Sequence, residues 1–280
     1  MKSIAYFNGK WLPLEEVKIS PLDRGFLFSD GVYEVVPVYN KKPLFLESHI
    51  ERLSISLKKI SLTINLPIRD IVLELIRKNC LENQIIYIQI TRGVAKRNHA
   101  FPKDVSPTIF MMSSLLERPS NDDVLTGVSA ITSEDNRWLG CDIKSISLLP
   151  NVLAREKAIK ENCTESILIR DGRVTEGAAS SIWIVRNKIL QCPKPNRELL
   201  EGVRISILGL ICEKYGISFV REDFSYSELL KADEVIMTSA TKEILPITVI
   251  DKKLIGSGEM AGKPGKTFFQ LRQAYTNLLS

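Results

Sequence analysis

Residues 137–155 read RWLGCDIKSISLLPNVLAR and place Lys144 between a Trp-Leu-Gly-Cys segment and the apolar run Ile146, Leu148, Leu149. A lysine in such company is costly unless its ammonium meets a partner, snorkels to water, or works as a free amine. Enzymes use the free amine to hold a carbonyl compound as a Schiff base. Taken alone, the stretch favours the plainer reading of a lysine beside a core strand, because surface lysines are far commoner than catalytic ones. Just beyond it, Pro150 stands where a first helical turn tolerates proline, which predicts a helix over about 150–162.

The 280 residues, 44% hydrophobic and 25% charged, make a globular chain of one large or two ordinary domains. The net charge of +5 is spread among residues of both signs. No basic block interleaved with aromatics points to nucleic acid, so the excess reads as a weak bias towards anionic ligands. The Met-Lys-Ser-Ile start lacks an apolar signal core, and no run approaches the ~18–20 apolar residues of a membrane span. A cytoplasmic protein without a membrane partner is expected. The five cysteines are scattered without CxxC spacing, which predicts reduced thiols, and His49 and His99 form no metal-ligand pair, so no metal site is expected.

The first third alternates short strands with two helices. Ile4–Phe7, Asn8-Gly9 and Lys10–Leu12 read as a hairpin with a type I′ turn. Val17–Ile19 reads as a further short strand and 21–25 as a turn. Val32–Tyr39 reads as a strand whose Pro37 implies an edge or a bulge. Ile50, Leu53, Leu57 and Ile60 mark a helix over 46–60, and Ile71, Leu75, Ile76 and Cys80 another over 68–81. Strands follow at 85–91 and 108–115. The polar 119–123 reads as a linker between a domain over 1–118 and another over 124–280. Past it, strands are expected at 124–132, 165–170, 181–186, 217–221, 234–238 and 244–250, with helices at 150–162, 201–215 and 225–231. The class is a two-domain α/β or α+β protein.

Four stretches besides the lysine carry chemical potential. Asp171–Ser181 is a turn, a carboxylate and a run of small residues that lets backbone amides approach a ligand, or is simply a glycine turn. Glu201-Gly202-Val203-Arg204 opens an apolar helix, where unpaired N–H groups favour an anion. Thr238-Ser239-Ala240-Thr241 ends a strand in hydroxyls that either bind phosphate or cap the next turn. In Arg97-Asn98-His99, alternate side chains of an extended loop point the same way and can grip one carboxylate.

Together, DRGFLFSDGVYEVV (23–36), HIERL (49–53), TRGVAKRNHAFP (91–102), CDIKS (141–145) and VTEG (174–177) resemble the fold-type IV pyridoxal-phosphate aminotransferases, and within them the bacterial D-amino-acid aminotransferases. The resemblance runs from about residue 4 to residue 255. It implies a smaller N-terminal α/β domain and a larger C-terminal domain with a pseudo-barrel sheet. It also implies pyridoxal 5′-phosphate as cofactor, amino acids and 2-oxo acids as substrates, and a homodimer whose subunits share the substrate site. By this resemblance Lys144 is the Schiff-base lysine and moves the substrate α-proton. Glu176 faces the pyridine nitrogen, Arg52 binds the phosphate, and Leu200 packs on the ring. Val203, Arg204, Ser239 and Ala240 line the phosphate cup, while Tyr33, Arg97 and His99 trap the substrate carboxylate.

Five departures stand out. Arg204 and Ala240 occupy positions where the family usually has threonine hydroxyls on the phosphate. Ala179 and Ser181 replace a common serine and asparagine, and Pro37 a frequent basic residue. Two lost hydroxyl contacts cost on the order of 1–3 kcal/mol, which Arg204 offsets if its guanidinium meets the phosphate. Alternatives within the family are a branched-chain L-aminotransferase and an aminodeoxychorismate-lyase-type enzyme, against which the Arg97-x-His99 loop speaks. Outside catalysis, the altered cup admits a homologue that binds without turnover.

Overall fold

A computed structural model describes residues 3–279, and these group into two units. The first runs to Glu117 and also takes in Ile143–Ser147. The second comprises Arg118–Asp142 and Leu148 onward.

Unit one opens with the hairpin β1 (Ile4–Phe7) and β2 (Lys10–Pro13), turned by Asn8 and Gly9 at φ 46° and 86°, the left-handed pair that a type I′ turn demands. After the short helix α1 (Arg24–Phe28) come β3 (Gly31–Tyr39) and the two-residue β4 (Lys42–Pro43). Helices α2 (Leu46–Lys59) and α3 (Ile68–Lys78) precede β5 (Gln84–Thr91) and β6 (Thr108–Leu115). The strands form one antiparallel sheet in the order β2-β1-β6-β5-β3-β4. Pro37 costs no ladder bond inside the sheet, because only β4 covers that edge of β3.

Strand alternation sorts the residues of β3. Val32, Val36 and Val38 join Ile86, Ile88 and Ile90 of β5 under Leu53 and Leu57 of α2 and Val72 and Leu75 of α3. Glu34 stands in the same inward row and is fully buried. Arg52 of α2 grips it with a two-pronged bond, Nε to Oε1 at 2.6 Å and a terminal nitrogen to Oε2 at 2.9 Å, and His49 Nδ1 lies 2.8 Å from Oε2. Burial alone would raise the carboxyl's pKa. The Arg52 charge and the His49 and Arg52 hydrogen bonds outweigh it and hold the value at about 2.

Unit two begins with α4 (Asn121–Thr126) and runs through β7 (Val128–Glu134), α5 (Leu149–Lys160), β8 (Glu165–Arg170), β9 (Arg173–Gly177), β10 (Ser181–Arg186) and β11 (Ile189–Cys192). Helix α6 (Val203–Tyr215), β12 (Phe219–Arg221), α7 (Tyr226–Leu230), β13 (Glu234–Ser239), β14 (Glu243–Ile250), β15 (Lys253–Leu254) and α8 (Lys266–Leu279) complete it. The nine-stranded sheet has the order β12-β11-β10-β13-β14-β7-β8-β9, with β15 on β14. It is mixed, since β7 runs parallel to both β14 and β8, and register shifts in the β14–β7 and β8–β9 pairs bend it. Its core gathers Ile182 and Ile184, Val235 and Met237, Leu245 and Ile247. No helix among the described residues is long and apolar enough to cross a membrane.

The expected linker 119–123 lies just past the boundary between the units at Glu117 and Arg118, but part of it is ordered as the helix Asn121–Thr126, because Ser120 and Asp123 form a reciprocal capping box. The strand expected from 124 therefore starts at Val128. Val17–Ile19 belongs to no strand. The turn expected at 21–25 runs into α1, capped where Asp23 accepts the Gly25 N–H at 2.7 Å. Strands β9 and β11 and the helix α8 had no counterpart in the sequence reading.

Glu34 generates a stability prediction with a defined sign. A carboxylate held below its unfolded value stabilises the fold above about pH 4.5, and that contribution fades as pH falls towards about 2. Glu34→Gln should lower the unfolding free energy by about 3 kcal/mol near neutral pH, since it removes the buried charge that pairs with the half-buried Arg52. Urea unfolding near pH 7 and near pH 3 should show the mutational loss shrinking in acid. Equal losses at both would contradict the pairing.

Candidate active site

The candidate residues divide between the two units. In unit one, Lys144 sits on the Ile143–Ser147 segment, which docks along the edge of β3. Tyr33 N–H donates to the Lys144 carbonyl at 2.9 Å, Ile146 N–H to the Gly31 carbonyl at 3.1 Å, and Val32 and Ser145 form an antiparallel bridge. The Lys144 N–H donates to Ser56 Oγ of α2 at 3.1 Å. Both backbone polar groups of the lysine are thus fixed. Its half-buried side chain carries Nζ 4.2 Å from the Tyr33 ring centroid, a cation–π distance. Tyr33 in turn lies 5.8 Å from Tyr87 of β5, whose hydroxyl donates to Gln89 and whose pKa burial and Tyr33 push up to about 12.

Arg52 is already held by Glu34, so its guanidinium plane is set by the core beneath it. Arg97 and His99 are exposed on the loop between β5 and β6. Both approach Phe28, Arg97 at 5.2 Å and the His99 ring at 5.3 Å, so alternate loop residues do share one side. Among the described residues, no hydrogen bond or ring contact joins either of them to Tyr33.

In unit two, Glu176 sits on β9, the returning strand of a hairpin turned by Asp171 and Gly172 at φ 49° and 75°. The Glu176 carboxylate is buried, bonds Arg137, and accepts the Leu200 N–H at 3.2 Å. Arg137 is itself anchored by Asp135 at 2.8 and 2.9 Å and by the Glu198 carbonyl at 3.0 Å. Burial favours loss of the Arg137 proton, but Asp135 and Glu176 outweigh it and hold the guanidinium charged. Burial would raise Asp135, yet the Arg137 bonds and charge and a bond from Thr175 keep it below the usual carboxylate range.

The start of α6 and the β13–β14 turn meet nearby in the same unit. Gly202 is the N-cap of α6 and Val203 its first residue, and no side chain caps the helix. Ser239 Oγ accepts the Lys242 N–H at 3.0 Å, so this hydroxyl does brace its own turn, with its hydrogen left to donate. Arg204 is 4% exposed. One terminal nitrogen donates to the Ala240 carbonyl at 3.2 Å and to the Tyr275 hydroxyl of α8 at 2.8 Å, while Nε is buried without any hydrogen bond. Among the described residues no carboxylate neutralises it. A buried cation lacking an anion, beside an uncapped helix N-terminus, is a donor set that fits a phosphate monoester.

Glu34, Asp135, Arg137 and Tyr275 are not among the candidate site residues named from the sequence. Glu34 had a usable signal, a carboxylate at core parity in Val32-x-Glu34-x-Val36. The other three carry no local pattern that marks them.

The amino-transferase class IV family model matches residues 31–250. The chain is 38% identical to a D-alanine aminotransferase of Staphylococcus haemolyticus over 278 residues, 98% of this chain and 97% of that one. It is also 38% identical to a D-alanine aminotransferase of Bacillus licheniformis, covering 90% of each. In fold it matches the branched-chain amino acid aminotransferase of Escherichia coli with a TM-score of 0.92 at 22% identity, over 100% of this chain and 95% of that one. A second branched-chain amino acid aminotransferase, solved with pyridoxamine 5′-phosphate, matches with a TM-score of 0.90 at 22% identity, over 100% and 94%.

Arg204 gives a measurable expectation. Inorganic phosphate should raise the melting temperature of the cofactor-free protein by binding its native state, and Arg204→Met should lose most of that rise. Equal shifts in both proteins would show that Arg204 does not receive the anion.

Proposed function

The chain belongs to the class IV aminotransferases, and we propose that within them it is a homodimeric, pyridoxal-phosphate-dependent D-amino-acid aminotransferase. It exchanges amino groups between D-amino acids such as D-alanine or D-glutamate and 2-oxo acids such as 2-oxoglutarate or pyruvate, in two alternating half-reactions. The reading rests first on Lys144, a half-buried amine fixed through its own backbone at the Tyr33 ring. The D-preference is supported by the Arg97-x-His99 loop and by the D-alanine aminotransferases at 38% identity. The branched-chain structures, at 22% identity, speak only to the fold.

Bound in this protein, pyridoxal phosphate supplies an aldehyde to carry the amino group and a ring that accepts electrons. The residues of the chain do the rest. Lys144 Nζ is the amine that would hold the cofactor through its aldehyde, and as a free amine it would take up the proton leaving the substrate α-carbon. Glu176, braced by Arg137, keeps a proton on the pyridine nitrogen, and Leu200 packs on the ring. Arg204, Arg52, the Val203 amide and the Ser239-Ala240 turn hold the phosphate. Arg204 takes the part that threonine hydroxyls take elsewhere in the family, and a charge-assisted bond is the stronger kind. Tyr33, Arg97 and His99 bind the substrate carboxylate and so select the face of the α-carbon presented to Lys144, with Arg97 and His99 supplied by the second subunit.

A coupled assay with D-alanine, D-glutamate, L-alanine and L-leucine tests the assignment. Activity should favour the two D-substrates, and preference for L-leucine would refute it in favour of a branched-chain enzyme. Lys144→Ala should abolish turnover, by more than about a thousandfold, while leaving the fold intact.

A further inference from the structure

Two short stretches, Asp23-Arg24-Gly25 and Thr91-Arg92-Gly93, take no part in the chemistry above, yet the fold clasps them together. Arg24 N–H donates to the Gly93 carbonyl at 2.9 Å, and Asp23 bridges to Val94. Asp23 Oδ1 accepts from the Gly25 N–H and from Thr91 Oγ1, both at 2.7 Å. The approach is close: a Cβ on Gly25 would lie 2.3 Å from Thr91 Cγ2. Gly93, at φ +104°, holds a backbone conformation that side-chain-bearing residues avoid, and a Cβ there would lie 2.0 Å from the Ser106 carbonyl oxygen.

Asp30 sits at the centre. It accepts Arg24 Nε at 2.7 Å, Arg92 Nε at 2.8 Å and an Arg92 terminal nitrogen at 3.0 Å. Burial works to raise its pKa, but the two arginines outweigh it and hold it below the usual range. The free ends of both arginines reach the loop beyond β5. Arg24 donates to the Asn98 carbonyl at 2.5 Å and, more weakly, to those of His99 and Ala100 at 3.4 Å. Arg92 stacks its guanidinium 3.6 Å over the Phe101 ring and donates to the Ile60 carbonyl at 2.7 Å.

We infer that Arg24 and Arg92, joined through Asp30, are positioning residues that fix the Arg97–His99 loop for receiving a substrate carboxylate. This rests on the carboxylate-binding reading of Arg97 and His99 given above. The loop is polar and exposed, so it has no core of its own to hold it. Three successive carbonyls converging on one guanidinium replace that core, and only a planar, multiply donating cation serves Asp30 and the loop at once. One carboxylate between two arginines also leaves a surplus positive charge behind the loop, which suits an anionic substrate.

The test uses the pyridoxal-phosphate-loaded enzyme. Arg24→Gln should raise KM for both D-alanine and 2-oxoglutarate about tenfold while kcat changes less than about threefold. The absorbance of the bound cofactor should be unchanged, and hydrogen exchange over residues 95–101 should accelerate. Phe101→Leu, which removes only the stacking, should raise KM about threefold and serves if the buried arginine cannot be replaced without unfolding. If Arg97→Ala raises KM while Arg24→Gln and Phe101→Leu both match wild type, the inference is overturned and the function stands. If Arg97→Ala itself leaves KM unchanged, the carboxylate-binding reading falls and this inference with it.

Discussion

The backbone pairing of Ile143–Ser147 with the edge of β3 is the constraint on which the first unit's chemistry depends. It takes a lysine set among apolar residues and fixes its N–H, its carbonyl and the ring beside its amine. Strand geometry then supplies the rest. Tyr33 and Glu34 are adjacent on β3 and face opposite ways, so one residue addresses Lys144 while the next plunges into the core to anchor Arg52. A single strand thus carries an aromatic face for the amine and an ion pair that orients a cation. Slipping its register by one residue would exchange the two and destroy both.

The second unit solves a different problem, holding charges where water is scarce. The Asp135–Arg137–Glu176 chain alternates sign, so each buried charge has an opposite neighbour. Arg204 breaks that pattern, with a carbonyl and a phenol for company and a bare Nε. Leaving a guanidinium so incompletely satisfied costs stability in the free protein. In the proposed function, a phosphate bound there would recover that cost as binding energy, which would offset the two threonine hydroxyls this chain lacks. Helix α8 makes the arrangement possible: Tyr275 orients Arg204, and Arg272 bonds Glu243 at the foot of the same turn.

Much of the first unit was legible because its signals are local. Asn-Gly between short apolar runs, three- and four-residue spacing in α2 and α3, and alternation in β5 each reflect contacts within a few residues. Local reading failed where a longer interaction decides. Ile143–Ser147 lies in sequence beside the second unit but pairs with β3, and nothing in its composition says so. The polar 119–123 looked like a tether until Ser120 and Asp123 capped one another. Helix α8 does carry an apolar row in Phe268, Leu271 and Tyr275, at helical spacing. Among the site residues, the lysine's role came from family resemblance, whereas Arg137 and the arginines that clasp the β5–β6 loop emerge only from their partners in three dimensions.

Covalent trapping tests whether Lys144 is the amine that binds the cofactor. The purified protein, loaded with pyridoxal phosphate, is reduced with borohydride, digested and mapped by mass spectrometry. A single phosphopyridoxyl group on the peptide containing Lys144 is the predicted result. A group on any other lysine, or none on a protein that remains folded, would contradict the account.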